Sequence, residues 1–262
     1  MAEQLKIKKV TKASLLKFQR LFPREICLIT GAPRSGTSAL SVWLGQQPGV
    51  AAFAESRILV SIHKFLVEAL RFKNLERENL RITSLARQLV LDYYFNSRLL
   101  IGEKLVIDKE PLEPIAFPAK DYEPFISSVK QLLPDSRLLF AIRDPLATIW
   151  SMSRRTWGES LQNETARKFT IEEHTENWCA CANLIARHCT DPKTYVVQFG
   201  NLVNDSENES KRIFSFLNIR HGITFQPQPT KEIGFSSEEQ AKILTGVQPQ
   251  LAQLKTQGIT NL

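Results

Sequence analysis

The sequence predicts an α/β fold: a central parallel sheet covered by helices on both faces. Three observations predict it. Short apolar runs recur at EICLIT (25–30), VAAFAE (50–55), KLVIDK (104–109), RLLFAIR (137–143) and TYVVQF (194–199). Their length and continuous apolar character suit strands buried on both faces. Helix-compatible stretches separate them, as crossover connections between parallel strands require. Glycine and proline mark the joints between elements.

In chain order, EICLIT ends at Gly31, and a helix is expected from Ser35 to about Gln47, stopping near Pro48-Gly49. After the second strand, helical periodicity runs from about Arg57 to Phe72 and from Leu80 to about Arg98. The third strand leads into EPLEPIAFP (110–118), where the prolines disfavour helix and predict a loop. A helix from about Tyr122 to Leu133 ends at Pro134. The fourth strand is followed by a helix opening at Asp144-Pro145, with Asp as its cap and Pro in its first turn. Further helices are expected at about Ile171–Cys189 and Glu207–Leu217. The whole chain, 1–262, reads as one domain: a basic segment (1–24), a core (about 25–220) and a C-terminal helical tail (221–262).

Composition narrows the function classes. A 43% hydrophobic and 23% charged chain is ordinary for a globular protein, which argues against disorder. The net charge of +7 favours anionic partners, but the basic residues carry no nucleic-acid motif, so no nucleic acid is expected. No apolar run reaches the roughly 18 residues of a transmembrane span. Leu15, Leu16, Phe18, Leu21 and Phe22 could line one face of a short basic helix. Cys27, Cys179, Cys181 and Cys189 come without a secretory signal, so reduced thiols and a cytoplasmic location are expected. His174, Cys181 and His188 are spaced by seven and read as helix packing rather than a zinc site.

In parallel sheets, ligands bind beyond the carboxyl ends of the strands. The first strand runs into GAPRSGTS (31–38). Gly31 and Gly36 have the spacing of the phosphate-cradling loop G-x-x-x-x-G-K-[ST], in which backbone N–H groups and a helix N-terminus meet an anion. The departure is Thr37 at the lysine position; Arg34, earlier in the loop, is the cation instead. A loop gripping a magnesium triphosphate relies on that lysine. An oxyanion site of a different kind is expected, in a three-layer fold of P-loop type.

PRSGTS after a buried strand resembles the 5'-phosphosulfate loop of sulfotransferases that use 3'-phosphoadenosine-5'-phosphosulfate (PAPS). The resemblance implies that Arg34, Ser35, Gly36, Thr37 and Ser38 contact this co-substrate. A second signature of that family, a strand-end arginine followed by a helical serine, is met by Arg143 and Ser151 eight residues later. They are expected to hold the 3'-phosphate. Arg155, four residues beyond Ser151 on the same helix face, adds charge there. Between the signatures, AESRI (54–58), IDKEP (107–111) and QFGNLV (198–203) resemble segments of protein-tyrosine sulfotransferases. That likeness implies Glu55 as catalytic base, Lys109 and Arg34 as charge stabilisers, and Phe199 beside the nucleotide. It spans about residues 26–217. The serine those enzymes use beyond 220 has no counterpart that can be placed, and their secretory anchor and disulfides have no counterpart either.

The implied reaction moves a sulfuryl group from PAPS to a hydroxyl or amine acceptor and releases PAP, with no metal required. The acceptor class is left open: the mixed polar and aromatic content of the variable segments fits a sugar, lipid, phenol or peptide, and a homodimer is admitted. Bland readings stand beside these. Glu55 also fits an acid at a helix start, Lys109 a surface lysine, Phe199 a core aromatic, and His63 is a rival base. The competing function classes are a kinase or triphosphatase with a degenerate loop, and a non-catalytic nucleotide-binding module.

Overall fold

The computed structural model describes residues 25–70, 76–95, 104–116, 118–158, 166–220, 222–227 and 232–262. The apolar face proposed for residues 15–22 lies outside them. Strands β1 (Glu25–Gly31), β2 (Val50–Ala54), β3 (Leu105–Lys109), β4 (Arg137–Ile142) and β5 (Thr194–Gln198) form one five-stranded sheet in the order β2-β3-β1-β4-β5, all parallel. The connecting helices are α1 (Thr37–Gly45), α2 (Ile58–Ala69), α3 (Glu76–Phe95), α4 (Tyr122–Leu132), α5 (Pro145–Ser153), α6 (Ile171–His188), α7 (Phe199–Asn204), α8 (Ser206–Leu217) and α9 (Ser237–Thr256).

Strand periodicity sorts the core into two layers. On one face, Ile26, Leu28, Val106, Leu138 and Phe140 pack against α2 to α6 and α9, with Tyr94, Phe125 and Trp178 fully buried. On the other, Cys27, Ile29, Ile107, Leu139 and Val197 pack against α1 and α8 through Leu40, Trp43 and Phe214. The three-layer α/β prediction therefore holds. No described helix is long and apolar enough to cross a membrane.

Some boundaries move. The expected strand at 194–199 ends at Gln198, and Phe199 opens α7. Apolar character alone does not separate the last strand residue from the first of a short helix. The helix α9 is a 20-residue element containing Gly246 and Pro249. Its start is fixed by a capping box, in which Ser236 accepts from the Glu239 N–H and Glu239 bonds back to the Ser236 N–H. The Asp144 cap is as predicted, accepting from the Ala147 N–H at 2.7 Å. His174, Cys181 and His188 pack separately: His174 lies against Trp157 and Phe169, while His188 bonds to Glu123 and Lys130.

Candidate active site

β1 is central, and the chain leaves it toward β2 on one side and returns through β4 on the other. A crevice opens beyond the carboxyl ends of such strands. The turn after β1 is tight. Gly31 has φ 136°, and a Cβ there would lie 2.3 Å from the Ala141 carbonyl oxygen on β4. Gly36 has φ 102° and caps α1 without any side-chain hydrogen bond. The first N–H groups of α1 thus remain available to an anion.

A cavity of about 280 Å³ occupies this crevice, lined by Pro33, Arg34, Gly36, Thr37, Ser38, Ala39, Glu55, Pro111, Glu113, Arg143, Ser151, Arg155 and Phe199. Its two sides differ in charge. Arg34, Arg143 and Arg155 converge on one side, and among the described residues none of them forms an ion pair. The Arg34 Nε donates to Ser151 Oγ at 2.9 Å. Burial, helped by the neighbouring Arg155 and Arg143, pulls the Arg34 guanidinium below its ordinary value; burial does the same to Arg143. An anion seated among them would relieve that repulsion. The Arg143 carbonyl is held by Trp178 Nε1 at 3.2 Å. Its guanidinium lies 5.4 Å from the Phe199 ring centre, and that ring fills the space beside Gly36 where a Cβ would sit.

On the other side the charges are paired. Lys109, at the end of β3, forms an ion pair with Glu55 and donates to Ser38 Oγ at 3.0 Å. Its ammonium therefore ties the start of α1 to the β2 end. Arg57 pairs with Glu113 at 3.1 Å and stands 3.8 Å from Glu55. Beneath this layer, Asp108 accepts from Ser56 Oγ and from the Tyr94 hydroxyl at 2.5 Å, and Glu110 accepts from the Arg57 N–H at 2.5 Å. Burial and nearby Asp108 push the Glu110 carboxyl up to about 8. Arg34, Glu55 and Arg57 all have left-handed backbone, with φ of 68°, 60° and 59°. Such strain in non-glycine residues gathers at functional sites.

A family model described as the sulfotransferase family matches residues 27–222. The chain belongs to that family. Solved structures share its fold. A sulfotransferase from Alicyclobacillus acidocaldarius aligns at 15% identity and TM-score 0.59, over 91% of this chain and 97% of its own. The sulfotransferase domain of the Synechococcus PCC 7002 olefin synthase aligns at 19% identity and TM-score 0.52, over 77% of this chain and 75% of its own. Among curated protein sequences nothing matches.

Against the sequence expectations, the sulfotransferase fold brings Arg34, Gly36, Thr37, Ser38, Glu55, Arg143, Ser151, Arg155 and Phe199 to one cavity, with Lys109 buried behind it and bonded to Ser38 and Glu55. Ser35 is different. Its side chain is buried, and its hydroxyl lies against the carbonyls of Ala32 in the turn at 2.6 Å and Ala141 on β4 at 3.0 Å. His63 is bonded to Ser128 and packed on Phe125, off the cavity lining. The sequence reading reached Pro111 and Glu113 only as members of segments, without singling either out; the expected loop at 110–118 brings both to the cavity alongside β1. The Glu110 N–H bonds to the Ile29 carbonyl and the Leu112 N–H to that of Gly31, each at 2.9 Å. A carboxylate in a loop just past the β3 end was the signal available for Glu113.

Proposed function

We propose that this sulfotransferase transfers a sulfuryl group from PAPS to a hydroxyl or amine acceptor and releases PAP. One observation carries the reading: a single cavity has unpaired arginines on one side and the Glu55–Lys109 pair on the other. The arginine side fits a donor with anionic groups at both ends. Arg34 and the N–H groups of α1 would hold its 5' end, and Arg143, Ser151 and Arg155 its 3'-phosphate. Beside it, sharing Ser38 and Ala39, lies an apolar slot of about 410 Å³ walled by Val42, Trp43, Ile223 and Phe225, which would take the base. Gln47 holds the outer wall by accepting from the Ile223 N–H at 2.9 Å and donating to the Ile223 carbonyl at 3.1 Å.

In the reaction the acceptor's oxygen or nitrogen bonds to sulfur as the sulfur–oxygen bond to the 5'-phosphate breaks. Glu55 takes the acceptor's proton. Lys109, between Glu55 and Ser38, and Arg34 stabilise the negative charge that grows on the departing phosphate. These side chains supply the positive charge that magnesium supplies in nucleoside-triphosphate transfer. The free cysteines support a cytoplasmic, reducing setting.

The test is thermal stabilisation by PAP, with ADP and ATP each tried with and without magnesium. A ligand at about 100 times its Kd adds about 2.7 kcal/mol. The expected result is a large shift with PAP, a small one with ADP, and indifference to magnesium. A magnesium-dependent ATP shift without a PAP shift would overturn the reading in favour of a kinase.

A further inference from the structure

The turn that bears Phe199 is anchored from far along the chain. Gln198, the last residue of β5, uses one side-chain oxygen to accept from two backbone N–H groups, Thr260 at 2.9 Å and Asn261 at 2.8 Å. The Asn261 side chain donates to Asn201 Oδ1 at 2.8 Å. Gly200 leaves no room beside this segment, since a Cβ there would lie 2.9 Å from the Asn261 carbonyl oxygen. Ile259 is buried in the main core, with Leu262 packed against it, so the segment has a fixed seat of its own.

Gln198 and Gly200 bracket Phe199. The Phe199 ring in turn covers Gly36 of the phosphate loop and approaches the Arg143 guanidinium. We infer that Gln198, by clasping residues 260–261, is a positioning residue that presets Phe199 for the nucleotide. This rests on the reading of the cavity as a PAPS site. Without the clasp, ordering the α7 turn would draw on binding energy, and affinity would fall. Chemistry at the far side of the cavity would be untouched, because Gln198 reaches neither Glu55 nor Lys109.

The requirement is an acceptor oxygen, which glutamate supplies and leucine does not. The experiment compares wild type, Gln198→Glu and Gln198→Leu in calorimetric titration with PAP and in steady-state turnover of PAPS. Gln198→Leu is expected to raise the PAP Kd and the KM for PAPS about three- to tenfold, the equivalent of one or two net hydrogen bonds. Its kcat should stay near wild type, and Gln198→Glu should restore the wild-type Kd. A Gln198→Leu protein with unchanged Kd and KM overturns the inference. So does one in which kcat, KM and melting temperature worsen together without rescue by glutamate, since that marks a merely structural role. Wild-type protein that fails to bind PAP overturns the nucleotide reading itself, which separates the two failures.

Discussion

The two sides of the cavity are built on opposite principles. On the side of β1 and β4, Arg34, Arg143 and Arg155 face one another and, among the described residues, form no ion pair; the carboxylate acting on Arg143 is that of Asp144. On the side of β2 and β3, each charge has a partner: Lys109 with Glu55, Arg57 with Glu113. The unpaired side is rich in half-buried positive charge that an incoming anion would offset, so it should govern affinity. The paired side is already satisfied and fixed by the buried Asp108 and Glu110 beneath it, so it should govern the chemical step.

Substitutions can break that division. The largest effect is expected from Glu55→Ala, with a fall in sulfuryl transfer of about 10²- to 10⁴-fold. PAP affinity should stay within about twofold, as read by labelled-donor turnover beside calorimetry. Weakened PAP binding of equal size would erase the contrast. Next comes Arg143→Ala, expected to cost about 10- to 100-fold in PAP affinity, the scale of a hydrogen bond to a charged group. Its ligand-free melting temperature should hold or rise, because repulsion with Arg34 is relieved.

Smaller effects sharpen the picture beneath the paired side. Tyr94→Phe removes a buried donor to Asp108, and about 1–3 kcal/mol of stability should be lost in denaturant melts. Glu110→Gln should show a pH signature. The folded carboxyl titrates near 8, far above its unfolded value, so the folded protein binds the extra proton between those limits. Wild-type stability therefore falls as pH rises from about 4.5 to 8. Glutamine, which keeps an acceptor for the Arg57 N–H, should match wild type near pH 5 and exceed it by roughly 3 kcal/mol at pH 8. Parallel pH–stability curves for the two proteins would refute the assignment.

The arginine side was more legible than the carboxylate side, and the reason is distance along the chain. Arg34 and its glycines lie within one turn, and Arg143 and Ser151 within one strand–helix unit, so local rules of spacing find them. Arg57 and Glu113 meet from 56 positions apart. Their pairing depends on β2 and β3 lying side by side, which no local pattern states. Ser35 shows the opposite limit, since its place in the loop motif was plain but the direction of its hydroxyl was not. At the other end of the chain a helical tail was expected, but Gly246 and Pro249 obscured the bounds of α9, although the Ser236–Glu239 capping box announced its start.

The left-handed backbone at Arg34, Glu55 and Arg57 sets a rule for engineering heat tolerance into this chain. Glycine at any of them would relieve roughly 1–2 kcal/mol of local strain, and a search guided by folding energy alone would choose it. Each such choice would delete a side chain of the cavity or of its wall. Asn218, the other non-glycine residue of that conformation among the described residues, closes α8 and does not line the cavity. There glycine answers only the demands of a helix end, so thermostabilisation should begin at Asn218 and leave the other three alone.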